Sequence, residues 1–299
     1  MNEKKFGKDE VIFREGDHGT SFFQIVEGSV GVYVNYGLAD QRKLTELGNG
    51  QYFGEMAVIE TWPRSTTIVA EEDTSVYEIQ EDELNAYFKE QPDKIYALMK
   101  HLGGRIRSLT NEYRELNAVL TELRGFLDKK DATLAAKVMK YIGIYNASQK
   151  SLIKPSVESL REPAPSTVEK AVLPVESYRK GTVIFKRGEL GDCMYAVHGG
   201  SVGIYSDYGT DNEQKLTSLM AGTFFGEMGM LDEEERSATA IAEMDETIVE
   251  IIHKDDLEKL FESNPVEVDQ ILRHLSHRLR LLTNDYLAAC KNVYDKWGE

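Results

Sequence analysis

The chain has 299 residues, 41% hydrophobic and 29% charged, the balance of an ordinary globular protein of about two domains. A net charge of -16 leaves no broad basic surface for the phosphates of a nucleic acid or an anionic bilayer, so neither partner is expected and an anion could be held only at a local, organised site. No apolar run has the length of a signal peptide or a membrane span, which sets the expectation of a cytoplasmic protein.

Short apolar runs broken by glycine come first. From Glu10 to Gly37 the pattern reads strand, turn at Gly16 to Gly19, strand, turn at Glu27-Gly28, strand. Many short strands at close spacing predict an antiparallel barrel or jelly roll. Most of the glycines, Gly16, Gly19, Gly28, Gly31, Gly37, Gly50 and Gly54 among them, are expected to supply turn geometry. Three-and-four spacing then takes over at Ile95, Leu98, Met99, Leu102, Ile106, Leu109, Tyr113 and Leu116, an amphipathic helix packed on the barrel. Helical character resumes from Ala132 to Tyr145. Ser148 to Val175, polar and punctuated by Pro155, Pro163, Pro165 and Pro174, reads as an extended linker.

Beyond the linker the first pattern returns. Val11 to Ala70 overlies Val183 to Ala242 at an offset of 172 without a gap, with 25 of 60 positions identical. From Thr74 and Thr247 the offset is 173, which sets Lys100 to Tyr113 over Arg273 to Tyr286, and Ile271, Leu272, Leu275, Leu279, Leu282 and Tyr286 form a second amphipathic face. Units of this size bury their own cores and are not solenoid repeats. The expected organisation is a first domain with its helix at 1–123, a helical segment and linker at 124–175, and a second domain with its helix at 176–299. Cys193 and Cys290 make neither a disulfide framework nor a paired metal motif and are expected to be buried thiols.

The segments Phe53 to Thr67 and Phe225 to Thr239 carry chemistry. A Gly-Glu pair leads into an apolar run, predicting a short helix whose first backbone amides are unpaired and favour an anion. Arg64 and Arg236, nine residues beyond Glu55 and Glu227, add a forked cationic donor, and Ser65 and Ser237 add a hydroxyl. Together these describe a pocket for one phosphate. A carboxylate beside a phosphate makes sense if it accepts hydrogen bonds from a hydroxyl of the same ligand, such as a ribose, and a nucleotide meets both demands.

These residues resemble the phosphate-binding cassette of the cyclic nucleotide-binding domain family, over Lys4 to Tyr113 and Glu176 to Tyr286. The resemblance implies a mainly β fold with α, two β-roll (double-stranded β-helix, jelly-roll) domains each followed by amphipathic helices. It implies cAMP or cGMP as a regulatory ligand, no metal, and ligand contacts at Phe53, Gly54, Glu55, Met56, Ala57, Arg64, Ser65 and Thr66, and at Phe225, Gly226, Glu227, Met228, Gly229, Arg236, Ser237 and Ala238. Glu55 and Glu227 would hold ribose; Arg64 with Ser65 and Arg236 with Ser237 would hold phosphate. Thr110-Asn111 and Thr283-Asn284 fall where members often contact the purine, although they also suit an exposed helix face. Ser after each Arg leans toward cAMP. Thr66 stands where the family usually has Ala, and Asp232 to Glu235 place four carboxylates near the second site, harmless only if they face water.

The expected function is a cytosolic cyclic nucleotide sensor, not an enzyme, whose domain arrangement changes on binding and which acts on a separate, unknown effector protein; the late helices are where a homodimer would form. A metal-dependent cupin would need a His-x-His pair, which is absent; His274 and His277 are three apart on a predicted helix and are expected on its surface. The competing expectation is a duplicated scaffold for protein-protein interaction with one or both sites degenerate.

Overall fold

The computed structural model describes residues 2–39, 41–55, 64–125, 132–149 and 171–298. Met56, Ala57, the helix predicted to follow Glu55 and most of the predicted linker lie outside these residues. The first repeat opens with β1 (Asn2–Phe6), β2 (Val11–Phe13), β3 (Ser21–Glu27), β4 (Val30–Val34), β5 (Arg42–Leu47), β6 (Tyr52–Phe53), β7 (Thr67–Ala70) and β8 (Thr74–Gln80). Helices α1 (Leu84–Glu90), α2 (Asp93–Gly125) and α3 (Ala132–Gln149) follow. The second repeat has β9 (Val175–Tyr178), β10 (Val183–Phe185), β11 (Cys193–Gly199), β12 (Ser201–Ser206), β13 (Gln214–Met220), β14 (Phe224–Phe225), α4 (Glu227–Asp232), β15 (Thr239–Ala242), β16 (Thr247–His253), α5 (Leu257–Ser263) and α6 (Pro265–Gly298).

Each repeat folds its strands into two four-stranded antiparallel sheets, ordered β1-β8-β3-β6 and β2-β7-β4-β5 in the first, β9-β16-β11-β14 and β10-β15-β12-β13 in the second. The order is the same strand for strand, as the matched sequences require. These are two β-rolls. Alternation supplies each interior: Phe23, Ile25, Val30, Val32, Phe53, Ile68 and Val76 fill the first, and Phe185, Tyr195, Val197, Val202, Phe225, Ala240 and Val249 the second. Both rolls carry a bulge at one position, between Ile25 and Glu27 in β3 and between Val197 and Gly199 in β11, which leaves Val26 and His198 as the extra residues.

Helix starts follow local chemistry. At α6, Pro265 takes the first helical position, where no N–H is needed. Asn264 Oδ1 accepts from the Glu267 amide at 3.4 Å, and its Nδ2 donates to the Glu267 carboxylate at 3.1 Å, a reciprocal cap. The chain divides into two compact units, and the division falls inside α2 and α6: the first unit holds the first roll, α2 from Arg105, α3, and α6 from Ser276, while the second holds α1, α2 up to Gly104, the second roll, and α6 up to Leu275. In the first unit Leu116, Val119 and Leu120 of α2, Leu134, Val138 and Tyr141 of α3, and Tyr286, Ala289, Cys290 and Val293 of α6 form a helical core distinct from the roll interior. In the second unit Phe88 meets Phe261 edge-on at 5.9 Å, and Tyr96 donates to the Met230 carbonyl at 3.4 Å. Cys193 and Cys290 are both free and buried.

Candidate functional site

The cassette arginines are set by backbone first. Arg64 N donates to the Asp17 carbonyl at 2.8 Å while its own carbonyl accepts from Gly16 N at 2.9 Å; Arg236 repeats this with Glu189 at 2.7 Å and Gly188 at 2.9 Å. The turn after β2 or β10 is thereby stapled to the segment that enters β7 or β15. Gly54 and Gly226 hold φ of 77° and 76°, the left-handed region that glycine adopts without strain, and turn the chain as it leaves β6 or β14. In the second repeat the chain then enters α4, with Gly226 at its N-cap.

Both guanidinium groups are buried. Arg64 Nη1 donates to the Gly54 carbonyl at 2.6 Å, Nη2 donates to the Ser21 carbonyl, and the group lies 4.3 Å over the Phe13 ring with Phe23 at 5.9 Å. Arg236 Nη1 donates to the Gly226 carbonyl at 2.5 Å and Nη2 to Cys193 Sγ at 3.5 Å, 4.4 Å over Phe185 with Tyr195 at 5.7 Å. Its Nε is buried without an acceptor. Burial pushes the Arg64 guanidinium below its ordinary value, while Glu55, Asp17 and Glu78 act in the opposite sense. Arg64 also lines an open cleft of about 400 Å³ with Phe13, His18, Ser21, Phe23 and Glu78. A buried cation seated on rings and carbonyl dipoles is stabilised further by any anion that reaches it.

Glu55 and Glu227 are each only 1% exposed. Arg105, on α2, donates from Nη1 to Glu55 Oε1 at 2.6 Å. Ser65 and Ser237 are exposed, Thr66 is half-buried and Ala238 buried; Phe53 and Phe225 face the roll cores. Met228 is half-buried and Gly229 is buried, the latter close enough to Arg236 that a methyl group there would lie 2.9 Å from Nη1. Of the acidic run, Asp232 ends α4, and Glu233, Glu234 and Glu235 beyond it are exposed to water.

The purine candidates are placed unequally. Thr110 and Thr283 return their hydroxyls to their own helices, to the Ile106 carbonyl at 2.7 Å and the Leu279 carbonyl at 2.8 Å, and Asn111 is exposed. Thr110 and Asn111 share a compact unit with the first cassette, whereas Thr283 and Asn284 belong to the first unit and Phe225 to Ala238 to the second. Asn284 Nδ2 is buried without a partner. His277, expected on the helix surface, is instead 7% exposed, because α6 buries a face broad enough to include Ser276 and His277 beside its leucines.

Sequence reasoning missed two parts of the site. Gly19, read as a turn glycine, and Gly191, its match in the second repeat, do not carry positive φ; an added methyl group would stand 2.5 Å from Arg64 Nη2 and 2.5 Å from Arg236 Cζ, so they are glycines for close approach. Phe13 and Phe185, the ring seats of the two arginines, lie in the identical Val-Ile-Phe runs that open the repeat. The signal for both was their exact match across the repeat.

Two rolls, each with a buried arginine over a ring and a buried glutamate nine residues before it, define a duplicated β-roll protein with a buried cationic group in each copy. Residues 3–91 and 175–264 match the model of the cyclic nucleotide-binding domain family, and the chain belongs to that family. It is 26% identical over 260 residues to a cAMP-dependent protein kinase regulatory subunit of Debaryomyces hansenii, covering 87% of this chain and 45% of the relative. It is 26% identical over 237 residues to a cGMP-dependent protein kinase of Plasmodium berghei, covering 79% and 21%. The chain thus spans less than half the length of these relatives. Among solved structures, the regulatory domain of Toxoplasma gondii PKA with cAMP is 22% identical, with 91% of this chain and 83% of that one covered and a TM-score of 0.28. No helix among the described residues is long and apolar enough to cross a membrane.

Proposed function

We propose that the chain is a non-enzymatic cytoplasmic sensor that binds one cyclic nucleotide in each roll, cAMP in preference to cGMP, and acts on a separate effector protein. The observation that carries this reading is the pair of buried cassette arginines, one of which keeps an Nε donor without an acceptor. Carbonyl dipoles and ring faces only partly offset the desolvation of a guanidinium, and a cyclic phosphate monoanion supplies the missing charge and acceptors. Ser65 and Ser237 after the arginines support cAMP over cGMP. The kinase regulatory subunit among the relatives supports a kinase as the class of effector. Ligand would alter the arrangement of the domains to the extent that it prefers one arrangement over another. The Arg105–Glu55 pair favours a second reading, in which the cassettes serve structure alone and the chain is an interaction scaffold.

Isothermal titration of the full chain with cAMP and then cGMP separates the two. The expected result is about two cAMP per chain at micromolar affinity or tighter, with cGMP weaker. Arg64→Ala should weaken one site by about tenfold or more, since a charge-assisted contact contributes roughly 1.5–3 kcal/mol. Small-angle scattering with and without cAMP reads the arrangement. Absence of binding by either nucleotide would leave the scaffold reading standing.

A further inference from the structure

Three chemically distinctive side chains meet in the second unit, outside the cassette. His198 comes from the bulge of β11, Glu250 from β16 and Glu267 from the first turn of α6, and their ligand atoms all lie within 4.8 Å of one another. His198 Nε2 and Glu250 Oε2 are 2.5 Å apart. We propose that His198, Glu250 and Glu267 form a binding site for a divalent cation, zinc foremost, independent of the cyclic nucleotide reading.

Geometry supports a small tetrahedral ion. Zinc bonds to nitrogen and oxygen of about 2.0–2.1 Å set the donor atoms about 3.3 Å from one another. That edge falls between the shortest separation, 2.5 Å, and the 4.8 Å limit on the group, so side-chain adjustments of about an ångström close the site. Three protein donors leave a fourth position for water.

The donors are also held from behind. Glu250, fully buried, turns its other oxygen to two consecutive backbone amides, Val172 at 2.9 Å and Leu173 at 2.6 Å, and Asn264 Nδ2 holds the Glu267 carboxylate at 3.1 Å. Outer contacts of this kind orient metal ligands and fix which oxygen faces the ion. Burying two carboxylates beside an imidazole carries a desolvation cost, and a divalent cation offsets it.

The repeat shows that the fold itself does not ask for these groups. Their counterparts in the first repeat are Val26, Tyr77 and Lys94, none with ligand chemistry at that place, although the same bulge is present there with Val26 exposed. A second group, Asp192, Cys193 and His253, also lies within ligand range, but Asp192 and His253 are exposed and Cys193 Sγ already accepts from Arg236.

Titration of the EDTA-treated, dialysed full chain with zinc chloride tests the site. The expected result is one zinc per chain at micromolar affinity or tighter, weakened at least tenfold in both His198→Ala and Glu267→Gln and unchanged in His253→Ala. Glu267→Gln keeps the shape of the side chain, and far-UV circular dichroism of each variant confirms that it is folded. Absence of zinc binding, binding equal in wild type and Glu267→Gln, or loss confined to His253→Ala would each overturn the proposal.

Discussion

At the scale of single residues, the site depends on two glycines that make room for cations. A methyl group at Gly19 would press on Arg64, and the guanidinium cannot yield without leaving the Gly54 and Ser21 carbonyls that hold it. Gly19→Ala is therefore expected to cost about 1–3 kcal/mol of stability by overpacking and to weaken cyclic nucleotide binding in the first roll several-fold. Gly104→Ala is the matched control: it lies inside α2 with nothing within 4 Å, and should raise stability by about 0.5–1 kcal/mol. Thermal melts with nucleotide titrations check the pair, and equal behaviour of the two variants would refute the close-approach account. Glu55, Arg64, Glu227 and Arg236 were legible in the sequence because charged groups repeated at one spacing have no role in a core. Gly19 was not, since one letter serves both a turn and a close approach, and only the position of Arg64 in space separates the two uses. His198, Glu250 and Glu267 share no short motif for the same reason: sheet pairing and a helix start bring them together.

Among elements, each roll ties its β2-β7-β4-β5 or β10-β15-β12-β13 sheet with a repeated side-chain triad. Tyr33 of β4 donates to Glu71 at 2.6 Å, and Lys43 of β5 reaches the same oxygen at 2.9 Å; Tyr205, Lys215 and Glu243 repeat this at 3.1 and 2.5 Å. Glu71 follows β7 directly, and Tyr33 and Lys43 are register partners on β4 and β5, so the triad links three neighbouring strands. Burial works against the Glu71 charge, but the hydrogen bonds from Tyr33 and Lys43 outweigh it and hold the carboxyl below its usual range. Burial and the bond to Glu71 push Tyr33 up to about 12. A carboxyl depressed in the folded state contributes stability that is fully present above its unfolded value, about 4.3, and is lost as pH falls through the folded value. Glu71→Gln should therefore melt below wild type at pH 7, with the gap closing as pH drops below about 4; a gap constant from pH 7 to pH 3 would contradict the triad's role. The strands and amphipathic helices of both repeats were readable from period and turn chemistry. The helical core of Leu116, Val138, Tyr141, Tyr286 and Val293 was not, because a periodic stripe says which face is apolar but not which distant helix covers it.

For the whole molecule, the duplicated sequence dictated a duplicated strand order, and the divergence between copies shows which features each copy keeps for itself. Charge is the property that belongs to no single element. At -16 the protein repels an anionic ligand at long range, while the buried arginines attract it only at contact. Screening shortens the first effect and hardly touches the second: the Debye length falls from about 30 Å at 0.01 M salt to about 8 Å at 0.15 M. The association rate of a fluorescent cyclic nucleotide should therefore rise with salt, roughly two- to fivefold over that range, the reverse of capture by a basic surface. The rise should be steeper at the second site, where the exposed Glu233 to Glu235 directly precede Arg236 in the chain. Stopped-flow mixing of the Arg64→Ala and Arg236→Ala chains isolates each site in turn. A rate that falls with salt at either one would mean that the local cationic field, not the net charge, governs approach to that roll.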